Sequence, residues 1–80
     1  MRVDDYLSTV GIIKRRTVAK EMADNGLIEV NGRRVKASYD VHIQDIIAVR
    51  GSHPFVAEVL DIPRGSVSKQ ARASYFKALA

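Results

Sequence analysis

The sequence of 80 residues predicts an α+β fold in which two short helices pack on a small antiparallel sheet, followed by a C-terminal helix. Three observations support this class. Two stretches with helical periodicity come first, an Asn-Gly dipeptide between apolar segments follows, and two more apolar segments come after residue 45. No repeat or linker interrupts the chain. We therefore predict one domain over residues 1–80, with a core motif in 1–50 and a hairpin strand and helix in 51–80.

The first helix is predicted from the spacing of its apolar residues. Val3, Tyr6, Leu7 and Val10 fall at i, i+3, i+4 and i+7, which places them on one helical face. The helix closes at Gly11.

The second helix is predicted from about Arg16 to Asn25, and its beginning is unusual. Position 15 holds Arg where a capping Ser, Thr, Asp or Asn is expected, so the first amides lack an obvious side-chain acceptor. A phosphate there would satisfy both the amides and the neighbouring cations. Alternatively, Thr17 caps a helix that begins later. The predicted buried stripe consists of Val18, Ala19, Met22 and Ala23.

A β-hairpin is predicted around Asn31-Gly32, a dipeptide typical of type I′ turns. Its strands are Leu27–Val30 and Arg33–Ala37. The residues expected to face the core are Ile28, Val30, Val35 and Ala37. The cations on the second strand fit a binding surface, but edge strands also carry Lys and Arg simply to prevent aggregation.

The second half of the chain is predicted to add two antiparallel strands and a helix. The strands are Ile46–Arg50 and Phe55–Leu60, joined by a turn at 51–54. The last helix is predicted over Val67–Leu79. Its apolar side would carry Val67, Ala71, Ser74, Tyr75, Ala78 and Leu79, while Lys69, Arg72 and Lys77 lie off that side.

The placement of charge is more informative than the net value of +4. Residues 1–36 hold eight Lys and Arg against five acids, 37–63 hold one against four, and 64–80 hold four with no acid. Cations cluster at the start of the second helix and again on the returning strand of the hairpin. Two such patches side by side would form a cradle for the phosphates of a polyanion.

Several functional classes are disfavoured by composition. The absence of cysteine excludes disulfides, thiolate zinc sites and a cysteine nucleophile. His42 and His53 are isolated from carboxylates at metal-ligand spacing, and no Gly-rich phosphate loop is present, so we expect no enzyme, cofactor or metal. No apolar run approaches the roughly 20 residues needed to span a bilayer. The first residues include acids and no signal-peptide core, so we expect a cytoplasmic protein that does not bind membranes.

We interpret this cradle as a surface that binds structured RNA, and two other binding classes compete with that interpretation. Two helices and a basic cluster resemble a DNA-binding helix-turn-helix, but the hairpin and the lack of base-reading side chains on the second helix favour recognition of backbone and shape. Tyr75 and Phe76 would suit a protein-interaction surface, although Tyr75 also fits a role in covering the core.

The segment Met1 to Val49 resembles the RNA-binding domain first described in ribosomal small-subunit protein S-four. The matching residues are Arg2-Val3-Asp4, Tyr6-Leu7, Arg16-Thr17-Val18-Ala19, Gly26, Ile28-Glu29-Val30-Asn31-Gly32, Lys36, Val41, Asp45 and Ile47-Ala48-Val49. Over the whole chain the sequence is similar to the ribosome-associated quality-control branch, relatives of the fifteen-kilodalton heat-shock protein. Gln44 departs from the family, which usually has Gly there.

This resemblance implies binding to structured RNA along the second helix and hairpin. The implied partners are large-subunit rRNA and tRNA on large ribosomal subunits obstructed by a nascent chain. We expect the protein to be a monomer when free. A generic structured-RNA module is the alternative, and the predicted last helix either contacts RNA or only covers the core. The candidate RNA-binding residues are Arg2, Asp4, Lys14, Arg15, Arg16, Thr17, Lys20, Asn31, Arg33, Arg34 and Lys36.

Overall fold

A computed structural model describes residues 1–80 and shows two helices packed on a five-stranded antiparallel sheet. The strand order is β2-β1-β3-β4-β5, and every neighbouring pair is antiparallel. The α+β prediction is therefore confirmed. The elements are α1 (Val3–Thr9), α2 (Arg16–Asp24), β1 (Ile28–Val30), β2 (Arg33–Arg34), β3 (Ile46–Val49), β4 (Phe55–Val59), a 3₁₀ helix (Arg72–Ser74) and β5 (Phe76–Ala78).

Helix α1 follows the predicted spacing. Its apolar residues Val3, Tyr6 and Leu7 are fully buried, and Val10 just beyond the last turn is buried as well. The chain then reverses at Gly11, whose φ of +80° is a left-handed conformation that residues with a Cβ rarely adopt.

Helix α2 packs with a narrower stripe than predicted. Ala19 and Ala23 are buried and Met22 is half-buried, but Val18 is 43% exposed, so its predicted burial is wrong. The i, i+4 pair of alanines forms the inward face, and small side chains allow the two helices to approach closely. Val18 precedes Ala19 by one position, which turns it about 100° away from that face.

The hairpin has the predicted turn, although its strands are shorter. Asn31 and Gly32 both have positive φ, 53° and 83°, as a type I′ turn requires. Strand β1 pairs with β2 on one side and with β3 on the other, which places the hairpin at the edge of the sheet. The four residues expected in the core are Ile28, Val30 and Ala37, which are buried, and Val35, which is half-buried.

The C-terminal helix predicted over Val67–Leu79 is wrong. The chain there is mostly irregular, with one 3₁₀ turn, and ends in β5, which pairs with β4. A single helix of about a dozen residues is marginal in water, whereas β4 would otherwise expose a full row of unpaired backbone groups. Pairing satisfies them, since the amide of Leu60 donates to the carbonyl of Tyr75 at 2.9 Å. The Tyr6 hydroxyl donates to the same carbonyl at 2.7 Å.

The core is one cluster of 14 buried apolar residues drawn from both helices, the sheet and the connecting segments. Neither helix is long and apolar enough to cross a membrane.

Candidate nucleic-acid interface

An open cleft of about 730 Å³ lies between α2 and the returning strand of the hairpin. We call it the helix–hairpin cleft. Four cations line it, together with one acid, Asp24, and backbone around the end of α2. One cation belongs to α2, one immediately precedes α1, and two belong to the returning part of the hairpin. The four cations are Arg2, Lys20, Arg34 and Lys36, all of them predicted candidates.

The side chain of Arg34 lies over the end of α2. Gly26 has a φ of +74°, and a Cβ at this glycine would be 3.4 Å from Cδ and Nε of Arg34. The glycine therefore ends the helix, and its lack of a side chain provides the flat surface on which the Arg34 side chain packs. Glu29 lies opposite Arg34 in the sheet register, but its carboxylate is held by Arg50 through two hydrogen bonds of 3.1 Å. These bonds keep the pKa of Glu29 below its usual range, and Arg34 has no ion-pair partner.

Asp4 holds two of the candidate arginines. Its carboxylate is 1% exposed and accepts hydrogen bonds from Nε and Nη2 of Arg2, both at 3.1 Å. It also accepts from the Asp5 amide at 2.7 Å and pairs with Nε of Arg16 at 3.6 Å. The two arginines remain about half exposed. A buried carboxylate cannot itself reach a ligand, but it orients two guanidinium groups toward solvent.

The beginning of α2 has the open N-terminus expected from the sequence. Arg15 is the N-cap residue in an extended conformation, and no side chain caps the first amides. The alternative in which Thr17 caps a later helix is wrong, since Thr17 lies inside the first turn. Arg15 and Thr17 are exposed, and Arg33 on β2 is exposed as well. None of these three candidates lines the helix–hairpin cleft.

Asn31 is tied to the sheet by its side-chain amide. Its Oδ1 accepts from the Ile46 amide and its Nδ2 donates to Asp45, both at 3.0 Å. Asp45 also accepts from the Tyr39 hydroxyl and the His42 amide, each at 2.9 Å. Burial raises the pKa of Asp45, but the hydrogen bonds from His42, Asn31 and Tyr39 outweigh it and leave the pKa below the usual range. This network fixes the hairpin tip relative to the start of β3.

Gln44 precedes this aspartate with a φ of +76°. It therefore adopts the left-handed conformation that the family's usual glycine would take without strain. The turn is kept despite the substitution, since the Gln44 amide donates to the Val59 carbonyl at 2.8 Å.

Lys14 and Arg16 line a second concavity, of about 340 Å³, beside the N-terminus of α2. Arg72 reaches the same place from the C-terminal segment. Arg72 was not among the candidate site residues, because the sequence placed it with Lys69 and Lys77 on a predicted helix, separate from the cradle, that either contacts RNA or only covers the core. The absence of any acid after residue 63 was the one sequence signal available for it.

Open surfaces lined by Lys and Arg are typical of proteins that bind nucleic acid through its phosphates. No group of three or more His, Asp or Glu side chains comes together in a way that would hold a metal ion. The fold and this surface together define a small nucleic-acid-binding domain.

The chain belongs to the S4 domain family, an RNA-binding domain, which matches residues 1–47. The resemblance inferred from the sequence is thereby confirmed. The chain is 42% identical over 76 residues to the RQC P-site tRNA stabilizing factor of Streptococcus pneumoniae, covering 94% of this chain and 86% of that protein. It is 38% identical over 79 residues to the protein of the same name from Bacillus subtilis, covering 99% and 92%. The structure of Heat Shock Protein 15 from Vibrio cholerae superposes with a TM-score of 0.90 at 25% identity, covering all of this chain and 82% of that one.

Proposed function

We propose that this protein binds the large ribosomal subunit during ribosome-associated quality control and contacts both rRNA and the tRNA that carries a stalled chain. The observation that carries the RNA-binding part is the helix–hairpin cleft, where four cations face an open surface. The choice of partner is supported by relatives named RQC P-site tRNA stabilizing factor, which are similar over most of this chain. We infer a cytoplasmic location from that role, and a protein that is a monomer when free.

The proposed mode of recognition is by backbone and shape. Lys20, Arg34 and Lys36 would each meet a phosphate, and Arg2 would be held in place for another by Asp4. No aromatic side chain lines the cleft, so stacking on splayed bases contributes nothing there. Arg2 is held by Asp4 and Arg34 rests on Gly26, so these two cations lose little side-chain freedom on binding, which suits an RNA surface of defined shape.

This role is one of binding and not of catalysis. A factor that stabilises tRNA needs affinity and geometry, both of which a preorganised basic cleft supplies. Asn31, Asp45 and Tyr39 would then serve to hold the hairpin tip rigid.

The RNA-binding part is tested by the salt dependence of affinity. If the four cleft cations each neutralise a phosphate, log affinity falls with log salt at a slope of about −3.6 on duplex RNA. We expect Lys20→Gln to reduce that slope by about 1. Lys77→Gln is the matched control, because Lys77 is exposed on β5 and lines neither concavity. A parent slope near zero would refute phosphate-dominated binding.

The ribosomal part is tested by sucrose-gradient sedimentation of the tagged protein from cells with stalled translation. Co-migration with free large subunits that carry peptidyl-tRNA is the expected result. A position at the top of the gradient, or with small subunits, would instead support a generic structured-RNA module. Light scattering of the purified protein gives its molar mass in solution and so tests whether it is a monomer when free.

A further inference from the structure

The second concavity contains the guanidinium of Arg72, which has no hydrogen-bond or ion-pair partner in the protein. Cδ and Nη1 of Arg72 lie 3.0 and 3.1 Å from the position that a Cβ on Gly11 would occupy, so the side chain is laid flat across the turn after α1. Its Nε is buried without a hydrogen-bond partner, and the side chain makes no ion pair. A buried donor left unsatisfied is costly, which indicates that a partner is missing.

The groups around Arg72 are suited to an anion. Lys14 and Arg16 line the same concavity, and no Asp or Glu does. Ser66 brings a hydroxyl that has no hydrogen-bond partner in the protein. Ser8 and Thr9 also line it, but their hydroxyls donate to Asp5. Arg16 is paired with Asp4 at 3.6 Å, but Lys14 and Arg72 make no ion pair, so the concavity keeps an unbalanced positive charge beside a free hydroxyl.

A purely structural role explains only part of this arrangement. Arg72 lies near the end of α1, where a cation is favourable to the helix dipole. A cation with that role alone would be expected to donate to the last carbonyls of the helix, and Arg72 donates to none. It instead shares the concavity with Arg16 and with Lys14, whose charge no carboxylate balances, and a bound anion would offset the repulsion between Lys14 and Arg72.

We propose that Lys14, Arg16, Arg72 and Ser66 form a second phosphate site that binds one backbone phosphodiester of RNA. The proposal rests on the proposed RNA-binding function and adds a contact outside the helix–hairpin cleft. Asp4 lies between the two, because it holds Arg2 of the cleft and Arg16 of this site. The site closes only when the C-terminal segment folds back over the turn after α1. That segment therefore contributes to RNA binding as well as to the sheet.

The test is a double-mutant cycle on Lys14 and Arg72, read by titration with a tRNA and, separately, with a large-subunit rRNA fragment. Arg72→Met keeps most of the stem that packs on Gly11 but removes the charge. Each single variant should weaken binding roughly tenfold, the cost of losing a hydrogen bond to a charged group. Because both side chains would hold one phosphate, the double variant should lose clearly less than the product of the two single losses. The RNA that shows this coupling is the one that occupies the site.

The control is Arg64→Gln, an exposed cation of the same segment that lines neither concavity, and it should bind like the parent. Urea unfolding verifies that the variants are folded, and if Arg72→Met is not, Ser66→Ala with Lys14→Gln supplies the same cycle. Parental affinity in Arg72→Met, or losses that multiply in the double variant with both RNAs, would overturn the second site while leaving the cleft intact. A parent protein that binds neither RNA would instead overturn the proposed function itself.

Discussion

Replacing Asp4 by Asn separates a positioning role from simple electrostatics, because the two predict opposite signs. The substitution removes a negative charge from a basic surface. With a phosphate about 10 Å away in a water-like dielectric, that removal alone would favour RNA binding by about 0.4 kcal/mol. However, the same carboxylate orients Arg2 and Arg16. Ordering each freed arginine on binding costs about 0.5–1.5 kcal/mol, or about 1–3 kcal/mol for both. The net expectation is a loss of affinity of about 0.6–2.6 kcal/mol, roughly three- to eightyfold.

Asp4→Asn should also lower the free energy of unfolding. The amide nitrogen faces arginine donors in a site that is 1% exposed, and a buried unsatisfied donor costs about 1–3 kcal/mol. The arginines themselves are about half exposed and can turn to water, so the loss stays below that of breaking a fully buried pair. A domain of this size has a stability of about 4–12 kcal/mol, so the variant remains folded at 25 °C.

The assay combines urea unfolding followed by circular dichroism with RNA titration under conditions where the variant is folded. Asp5→Asn is the matched control, since it makes the same charge change one residue away on a carboxylate that accepts from Thr9 and holds no arginine. It should bind RNA as well as the parent or slightly better. Tighter binding by Asp4→Asn, or equal behaviour of the two variants, would show that Asp4 does not position the arginines.

Three further predictions concern the frame of the site. Leu7→Ala removes a fully buried side chain and should lower the free energy of unfolding by about 2–5 kcal/mol, whereas Lys20→Ala should change it by less than about 0.5 kcal/mol, as urea unfolding will show. The pKa of Asp45 is lower in the folded protein than in the unfolded chain, where it is near 3.9. Its hydrogen bonds therefore stabilise the fold at pH values above the unfolded-state pKa, and this stabilisation is lost as the pH falls through the folded-state pKa. The parent should therefore lose stability below about pH 4 more steeply than Asp45→Asn in acid titrations followed by circular dichroism. Gly26→Ala should lower the free energy of unfolding by about 1–2 kcal/mol because φ is +74°. The added Cβ would only touch the stem of Arg34 at 3.4 Å, so the folded variant should keep the parental RNA affinity, and a weakened affinity would show that the turn at Gly26 positions Arg34.

The elements that the sequence predicted well are those specified by local rules. The i, i+3, i+4 spacing of α1 and the Asn31-Gly32 turn depend on neighbours in the chain, so each could be predicted without knowing what packs against it. The missing cap at Arg15 could also be read from the sequence for the same reason. The predicted convergence of charge is found only in part. Lys20 of α2 shares a cleft with Arg34 and Lys36 of the hairpin, because a short connection through Gly26 leaves the two elements side by side. Lys14 and Arg16 line the second concavity instead.

The C-terminal segment shows where local rules are insufficient. Val67–Leu79 has weak helical periodicity, but residues 76–78 become a strand because β4 needs a partner. That requirement is set by an edge of the sheet and not by the segment itself. The exposure of Val18 has a similar origin, since packing against α1 selects one of two adjacent apolar faces.

The sequence by itself determined the fold class, the hairpin and the set of cations available to a polyanion. Only the tertiary structure decided which cations share a surface. It buried Asp4 between Arg2 and Arg16, occupied Glu29 with Arg50, and laid Arg72 over Gly11. The physical reason is that a charge's role depends on its distance to other charges and on its exposure, and for residues far apart in sequence both are set by packing.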